Sequence, residues 1–278
     1  MPKDAAAMGS EILTSAKQRN YTIRVHLPQG DPPPRGHALV WLLDTPTTWA
    51  PMQQALNEQG DGGVVVIGIG WEEQGSVDPD LRRRDFTLPA RHAVSQQAGS
   101  AGDWREDGDA DAFLAFLIDV AQPRYLDALP IDAARQVLVG HSLSGLFVLH
   151  ALMTCPDRFH GFVAASPSIW WDKARIVDDI ANTDLSTARD ARVLITVGSD
   201  EQVAGPEKPP RIDGEDQAAM LGAQHMVDNA SAFAGALRKR GLDCRFELVE
   251  GEDHKSVIPA AMAHALRFTR DDARSFPE

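Results

Sequence analysis

The sequence predicts an α/β protein with a mostly parallel central sheet covered by helices on both faces. Short apolar runs that end at glycine or polar residues are typical of buried strands, and they alternate with longer segments of helical periodicity. Strands of a parallel sheet are buried on both faces, which explains why these runs are almost continuously apolar. A chain of 278 residues, 43% of them hydrophobic, is long enough for one such domain.

The predicted elements follow this alternation after an N-terminal hairpin. Strands are expected at residues 21–27, 38–43, 64–69, 137–139, 162–165, 192–197 and 244–249. Helices are expected at residues 111–120, 143–153, 217–240 and 256–268. Each strand prediction depends on an apolar or alternating run, and each helix prediction depends on apolar residues three or four positions apart.

Two long stretches carry no regular pattern. Residues 71–109 are rich in Gly, Asp and Arg, and residues 202–216 are rich in Pro, Gly and charge. Loops of this length in a compact domain are usually functional or disordered. We find no repeat and no linker, so residues 1–278 are expected to form a single domain. It would carry a loop or lid insertion at about 71–109 and a second loop insertion at about 202–216.

The most informative stretch is Gly140-His141-Ser142-Leu143-Ser144-Gly145. It follows an apolar run and opens an apolar helical run, so a serine lies at the apex of a strand–turn–helix. A G-x-S-x-G turn in this setting holds its serine on a strained elbow, as in the α/β-hydrolase fold. The N–H of Leu143 then lies at a helix N-terminus, where it can stabilise an oxyanion. Ser142 is therefore predicted to be a nucleophile, although Ser144 stands where the motif has glycine.

A nucleophilic serine needs a base and an orienting acid, which α/β-hydrolases supply later in the chain, the acid before the histidine. Among nine histidines, His254 has the best position for the base, because it follows the last predicted strand. His141, beside the nucleophile, is expected to point away from it. Asp200 and Glu201 both follow the strand at 192–197, and the residues themselves leave open which of the two faces the histidine.

These motifs resemble those of the putative-esterase family of α/β-hydrolases, which includes the enterobactin and salmochelin trilactone esterases. The matching stretches lie in family order at residues 21–28, 41–44, 83–87, 140–145, 166–171, 198–201 and 253–257. The most selective are R-R-D-F-T at 83–87 and S-P-S-I-W-W at 166–171. The resemblance implies a serine carboxylic-ester hydrolase that acts through an acyl-enzyme on a siderophore trilactone, free or ferric. It also implies Glu201 as the acid, at the last place of a G-x-x-E pattern.

The resemblance further implies a second oxyanion donor in the turn after the second strand. The family usually reads L-L-D-G-N there, whereas this chain reads Leu42-Leu43-Asp44-Thr45-Pro46-Thr47. Proline has no N–H to donate. Thr45 is therefore the expected second donor beside Leu143.

Four side chains are candidate substrate contacts. Arg83 and Arg84 belong to an arginine cluster in an otherwise acidic protein, and guanidinium groups can hold an anionic or catechol-bearing substrate. The alternative is a solvated loop with ion pairs to nearby aspartates. Of Trp170 and Trp171, one is expected to line the acyl pocket and the other to pack in the core.

Composition excludes several classes of function. A formal net charge of −13 argues against nucleic-acid binding. No apolar run approaches the length of a membrane span, and the first residues lack the apolar core of a signal peptide. We therefore expect a cytoplasmic protein, with the periplasm as the alternative if a signal peptide has been removed. Motifs for metals and phosphates are missing, so neither a metal nor a cofactor is expected. The oligomeric state and any pairing of Cys155 with Cys244 stay open.

Other activities fit the same pattern of residues. A general carboxylesterase, a thioesterase or an acyltransferase would use the same triad, and an acyltransferase would pass the acyl group to an alcohol. A non-catalytic binding module on this fold is the alternative from a different class. It would have no need of Ser142, Glu201 and His254 together, so hydrolysis of a small-molecule ester is favoured.

Overall fold

The computed structural model describes residues 10–71, 78–91, 108–202 and 224–271. Its strands are β1 (Glu11–Thr14), β2 (Asn20–His26), β3 (His37–Leu43), β4 (Val64–Gly70), β5 (Ile131–His141), β6 (Gly161–Ala165), β7 (Arg192–Gly198) and β8 (Asp243–Val249). Its helices are α1 (Thr45–Gln59), α2 (Pro79–Phe86), α3 (Ala110–Phe116), α4 (Gln122–Leu126), α5 (Leu143–Thr154), α6 (Trp171–Asn182), α7 (Met226–Lys239) and α8 (Ile258–Arg270).

The strands form one eight-stranded sheet in the order β1-β2-β4-β3-β5-β6-β7-β8. β1 and β2 form an antiparallel hairpin, and β2 is also antiparallel to β4. All other neighbouring strands are parallel. Because parallel strands need crossover connections, helices come to lie over both faces of the sheet. The predicted α/β-hydrolase fold is thus confirmed.

The core lies in two layers, one on each face of the sheet. Alternate residues of β3 belong to different layers, with Leu39, Trp41 and Leu43 in one and Ala38, Val40 and Leu42 in the other. The first layer is completed by α3, α5, α6 and α7, and the second by α1 and α8. This two-sided burial explains why period-two alternation is absent from the central strands.

Six of the seven predicted strands match the structure within one residue. The seventh, at 137–139, is the apolar end of the longer strand β5, whose first half is polar. The predicted helix at 217–240 is described only in part, as α7. The predicted insertion at 202–216 lies almost entirely outside the described residues.

Four helices were not predicted: α1, α2, α4 and α6. α1 has prolines in its first turn and interior, and its threonines are poor helix formers. α2 lies inside the stretch predicted to be irregular, and it is short and strongly charged. Its start is fixed by Asp78, whose side chain accepts hydrogen bonds from Asp80 N and Leu81 N. None of the helices in the described ranges combines the length and apolar character that crossing a membrane requires.

Candidate active site

Ser142 lies at the turn between β5 and α5 in a strained backbone conformation. Its φ is 63° and its ψ is −119°, a region that serine rarely adopts. The turn is held by backbone hydrogen bonds: Ser142 N donates to Ala165 O at 3.0 Å, and Leu146 N and Ser168 N donate to Ser142 O. Ser142 therefore has its side chain presented above the carboxyl ends of β5 and β6, as an elbow nucleophile requires.

The unusual Ser144 is accommodated inside the elbow. Its hydroxyl donates to His141 O and accepts from His141 N, both at 2.8 Å, and the residue is fully buried. The close approaches are made by glycines on either side of it. A Cβ at Gly140 would collide with the Ser144 backbone, and one at Gly145 would lie 2.8 Å from Ala165 O. The elbow therefore needs Gly140 and Gly145, while position 144 only needs a small side chain that can satisfy its own hydrogen bonds.

The structure brings Ser142, His254 and Glu201 into one line of hydrogen bonds. Ser142 Oγ lies 2.9 Å from His254 Nε2, and His254 Nδ1 lies 2.6 Å from Glu201 Oε2. A carboxylate accepts only, so Nδ1 carries the ring proton and Nε2 is free to accept the serine proton. Glu201 is fully buried. Its other oxygen, Oε1, accepts from Ser166 Oγ at 2.5 Å and from Gly198 N at 2.7 Å.

Asp200 is directed elsewhere, although it is next to Glu201 in sequence. Its carboxylate accepts from Ser199 Oγ at 3.2 Å, and its backbone N–H donates to Glu252 O at 3.0 Å. The short 3₁₀ turn Ser199–Glu201 after β7 turns the two neighbouring side chains in different directions. Between the two acids that the sequence offers, geometry therefore favours Glu201.

A second histidine belongs to this site, which corrects the sequence interpretation. His141 was expected to point away from the nucleophile, but its buried ring packs on the ring of His254, with centroids 4.7 Å apart. Burial, and then the charges of His254 and Arg82, hold the pKa of His141 well below its ordinary value. A neutral imidazole thus lies against the candidate base and adds no positive charge there.

The two predicted oxyanion donors each lie at the start of a helix. Leu143 is the first residue of α5 and Thr45 is the first residue of α1, and the first N–H groups of a helix have no partner inside it. Thr45 packs closely against β4, because a Cβ at Gly70 would overlap its Oγ1 and one at Gly68 would lie 2.7 Å from its Cγ2. In the sequence, the spacing of two between these glycines on one strand is the signal for such a close approach. The donor roles of Leu143 and Thr45 stay predictions.

The structure places Arg83 and Arg84 in ion pairs within the protein. Arg83 is buried and pairs with Asp80 at 2.8 Å. Arg84 binds Asp85 through two hydrogen bonds, of 2.7 and 2.8 Å. These contacts correspond to the ion-pair alternative, while a role of Arg83 and Arg84 in holding the substrate stays a prediction. Arg82 is the arginine of α2 that lies within electrostatic range of His141.

Trp170 and Trp171 occupy different environments. Trp170 is partly exposed and packs against the core, whereas Trp171 is buried. Trp171 N donates to Ser168 O, and Ser168 Oγ lies 3.3 Å from Ser142 Oγ. The Trp171 side chain lines a cleft whose other apolar walls are Phe86, Leu88, Leu146, Met153 and Ile176. Trp171 therefore lines an apolar cleft, and the assignment of either tryptophan to the acyl pocket stays a prediction.

The described residues contain no group of three or more His, Cys, Asp and Glu side chains that could hold a metal ion. Cys155 and Cys244 are free thiols. Burial raises the pKa of both thiols to about 12, which leaves them protonated and weakly nucleophilic at neutral pH. Within the described residues, the chemistry of the site therefore lies in the serine, the histidines and the buried glutamate.

An α/β-hydrolase sheet with an elbow serine, a histidine and a buried carboxylate in line defines a serine hydrolase. Comparison with known proteins narrows this class. The putative-esterase family matches residues 14–268, and the chain belongs to this family of carboxylic-ester hydrolases.

Named relatives match nearly the whole chain. It is 32% identical to the ferri-bacillibactin esterase BesA of Bacillus subtilis, over 94% of this chain and 89% of the relative. It is 29% identical to the siderophore enterobactin esterase of Emericella nidulans, over 96% of this chain and 95% of the relative. The solved structure of the siderophore hydrolase EstA from Aspergillus nidulans is similar, with a TM-score of 0.80 at 28% identity, covering 94% of this chain and 93% of that one.

Proposed function

We propose that the protein hydrolyses the ester bonds of a siderophore through an acyl-enzyme on Ser142. The observation that carries the chemistry is the continuous line of hydrogen bonds from Ser142 Oγ through His254 to the buried Glu201. The substrate class is supported by the relatives, which are named as esterases of ferri-bacillibactin and enterobactin. Ester-linked trilactones of this kind are the substrates that the family resemblance implies.

Acylation begins when Ser142 Oγ attacks the ester carbonyl carbon. The serine proton passes to His254 Nε2, and the carbonyl electron pair moves onto oxygen. Glu201 holds His254 in the required tautomer and stabilises the imidazolium that forms, because its carboxylate is buried 2.6 Å from Nδ1. The N–H groups of Leu143 and Thr45 would stabilise the oxyanion, with the positive ends of α5 and α1 behind them.

Collapse of this intermediate restores the carbonyl and breaks the bond to the leaving alcohol, which takes the proton from His254. Water then attacks the acyl-enzyme, with His254 Nε2 accepting its proton, and Ser142 is released with the carboxylic acid. In a trilactone, the first cycle opens the ring to a linear ester. Two further bonds of the same type remain, so one site serves the whole degradation.

A negatively charged siderophore complex has to be bound through short-range contacts. A ferric tricatechol complex is a trianion, and a protein of net charge −13 repels it at long range. At physiological salt this repulsion is screened beyond about 8 Å, so local groups decide binding. The cleft lined by Trp171 and Phe86 offers apolar surface to an aromatic arm. Arg175 also lines it, but Arg175 is paired with Asp179 at 3.0 Å, so the cleft itself supplies little net positive charge.

The test is direct product analysis. The protein is incubated with apo and ferric enterobactin-type trilactones at physiological salt, and linear products are followed by liquid chromatography and mass spectrometry. We expect kcat/KM for the trilactone to exceed that for p-nitrophenyl acetate by at least ~100-fold, because remote contacts with the arms add binding energy. Ser142→Ala is the matched control for enzymatic turnover.

Other outcomes would replace this proposal. Turnover of p-nitrophenyl acetate without turnover of the trilactone would indicate a general carboxylesterase. Preferential cleavage of thioesters would indicate a thioesterase, and transfer of the acyl group to an added alcohol would indicate an acyltransferase. Absence of turnover together with no labelling of Ser142 by a fluorophosphonate would favour a binding module. The cytoplasmic location, with the periplasm as alternative, stays a prediction.

A further inference from the structure

Helix α1 begins in an unusual way at Asp44. The residue before a helix ordinarily has an extended backbone, and its side chain accepts a hydrogen bond from the first turn. Asp44 instead has φ 63° and ψ 49°, in the left-handed region, and its side chain makes no such bond to the helix. A non-glycine residue in this region is strained, so other contacts must hold it there.

Those contacts come from the helix itself and from Arg82. The Asp44 carbonyl accepts from Thr47 N at 2.9 Å and from Thr48 N at 3.1 Å. The carboxylate is fully buried, and its Oδ2 accepts from Arg82 Nε and Nη2, each at 2.8 Å. Its Oδ1 has no hydrogen-bond partner among the described residues. Arg82 is therefore the cation that compensates this buried charge in the part of the chain described.

The conformation of Asp44 decides where the Thr45 N–H points. That N–H lies in the peptide plane that follows Asp44, and the ψ of Asp44 sets the orientation of the plane. A change to extended backbone, with ψ near 135°, would rotate the plane by roughly 90°. The Thr45 side chain is already confined by Gly68 and Gly70, so the peptide is held from both sides.

The same arrangement occurs at the nucleophile elbow. Ser142 and Asp44 both have φ 63°, and each is followed by the first residue of a helix, Leu143 or Thr45. Two helices thus begin with an N–H whose direction depends on a strained residue before it. At the elbow, backbone hydrogen bonds keep Ser142 in its strained conformation, whereas at Asp44 the side chain of Arg82 from α2 also contributes.

We propose that Arg82 is a positioning residue for the second oxyanion donor. By binding the buried Asp44 carboxylate, it keeps Asp44 in the left-handed conformation that presents the Thr45 N–H to the substrate oxygen. The inference rests on the proposed function in assuming an oxyanion at this site. It does not depend on the siderophore, since any ester cleaved through Ser142 forms the same intermediate.

Arg82→Lys tests the proposal while retaining the positive charge. Lysine cannot reproduce the two contacts that the guanidinium makes with Oδ2, so Asp44 is expected to relax. Loss of one oxyanion donor costs ~10²–10³-fold in kcat, and a misplaced donor should cost ~10–100-fold with little change in KM. The control is Arg124→Gln, which removes the exposed ion pair with Glu11 and should leave kcat unchanged.

A boronic acid supplies a readout that a purely structural role would not affect. Phenylboronic acid forms a tetrahedral adduct on a nucleophilic serine and mimics the oxyanion intermediate. Its inhibition constant should rise by the same factor as kcat/KM falls, because both report oxyanion stabilisation. An unchanged inhibition constant in Arg82→Lys, or an unchanged kcat, would overturn the proposal.

Arg82→Met would leave the buried Asp44 carboxylate unpaired and could unfold the protein. Its effect on kcat is therefore measured both in the wild-type protein and in the Asp44→Asn variant. Asp44→Asn removes the charge and retains a residue that tolerates left-handed backbone. If Arg82 acts only through Asp44, adding Arg82→Met to Asp44→Asn should change kcat by no more than ~2-fold. A large loss of kcat when Arg82→Met is added to the wild type and also when it is added to Asp44→Asn would show instead that Arg82 contacts substrate directly. Wild-type protein that cleaves p-nitrophenyl acetate but no siderophore would refute the proposed substrate and leave this inference standing.

Discussion

Ser166 donates a 2.5 Å hydrogen bond to Glu201 on the carboxylate oxygen that His254 does not contact. Ser166 is fully buried and has φ 42°, and its N–H donates to Thr196 O at 2.7 Å. A strained residue after β6 thus aims its hydroxyl at the acid after β7. The contact continues the line of hydrogen bonds one residue beyond the expected triad.

Ser166→Ala should therefore weaken the orientation of Glu201. One charge-assisted hydrogen bond of the carboxylate would be lost, while the bond from Gly198 N remains. We expect kcat for p-nitrophenyl acetate to fall by ~10-fold, in line with a loss of about 1.5 kcal/mol. Ser186→Ala, which removes an exposed hydroxyl bound to Asp184, is the matched control and should have little effect. Full activity of Ser166→Ala would show that Gly198 N alone orients the acid.

Ser142→Ala should abolish turnover and leave folding intact. Removal of a triad nucleophile costs ~10⁴–10⁶-fold in kcat, and the oxyanion donors account for the small remaining rate. The variant should also resist labelling by a fluorophosphonate, and its thermal unfolding should match that of the wild type because the elbow is held through the backbone. Near wild-type hydrolysis by purified Ser142→Ala would refute the site as a whole.

Glu201→Gln should lower kcat far more than Asp200→Asn. An amide in place of the Glu201 carboxylate cannot stabilise the imidazolium, and it can favour the wrong tautomer of His254. The Asp200 carboxylate binds Ser199 and lies off this line of hydrogen bonds. Steady-state kinetics on one small ester decides between the two acids. A larger loss of kcat in Asp200→Asn than in Glu201→Gln would show that Asp200 is the acid of the triad. An unchanged kcat in both variants would indicate a Ser–His dyad.

Much of the fold could be predicted because buried parallel strands leave continuous apolar runs in the sequence. The nucleophile and the base could be predicted for a related reason. Each lies in the loop that directly follows a predicted strand, and the carboxyl ends of parallel strands are where such sites form. The choice between Asp200 and Glu201 depends on the direction of a short 3₁₀ turn, which adjacent acidic residues do not reveal. The family resemblance, and not the residues, selected Glu201.

The remaining misses arise from contacts between distant segments. The partner of Arg82 could not be chosen from a run of three arginines among several aspartates, because it is Asp44, 38 positions away. His141 was misread for the same reason, since its neighbour His254 lies over one hundred positions away. Residues 92–107, which belong to the predicted insertion, lie outside the described part of the chain.

His141 should make the stability of the protein depend on pH. Its pKa in the folded protein is held well below 6.5, first by burial and then by the charges of His254 and Arg82. Above pH 6.5, His141 is neutral in both the folded and unfolded chains and contributes no pH dependence. Below it, the unfolded chain binds a proton that the folded protein does not, so stability falls with pH.

Urea unfolding of wild type and His141→Asn between about pH 5 and pH 8 measures this contribution. The difference in unfolding free energy should be constant above about pH 6.5 and should shift against the wild type as pH falls below that value. A difference independent of pH would mean that His141 is protonated equally in the folded and unfolded chains.

Arg84→Ala should act on stability and not on substrate choice. Asp85 is fully buried and accepts from Arg84 and, at 2.9 Å, from Trp71 Nε1. Removing Arg84 leaves this carboxylate with fewer partners, and losing hydrogen bonds of a charged group costs about 1.5–3 kcal/mol. The melting temperature should fall by several degrees, and any losses of kcat/KM should be equal for an enterobactin-type trilactone and for p-nitrophenyl acetate.

Arg83→Ala, combined with Arg84→Ala, makes this comparison decisive. Arg83 is buried and pairs with Asp80 within the same helix, so the double variant removes both arginines that the sequence offered as substrate contacts. Equal losses of kcat/KM for the two substrates, accompanied by a lower melting temperature, would show that the arginines hold α2 in place. A strong rise of KM for the trilactone with unchanged kcat/KM for p-nitrophenyl acetate would instead identify them as substrate contacts. Since a small neutral ester cannot reach a distant cation, only a direct contact with the siderophore would separate the two substrates in this way.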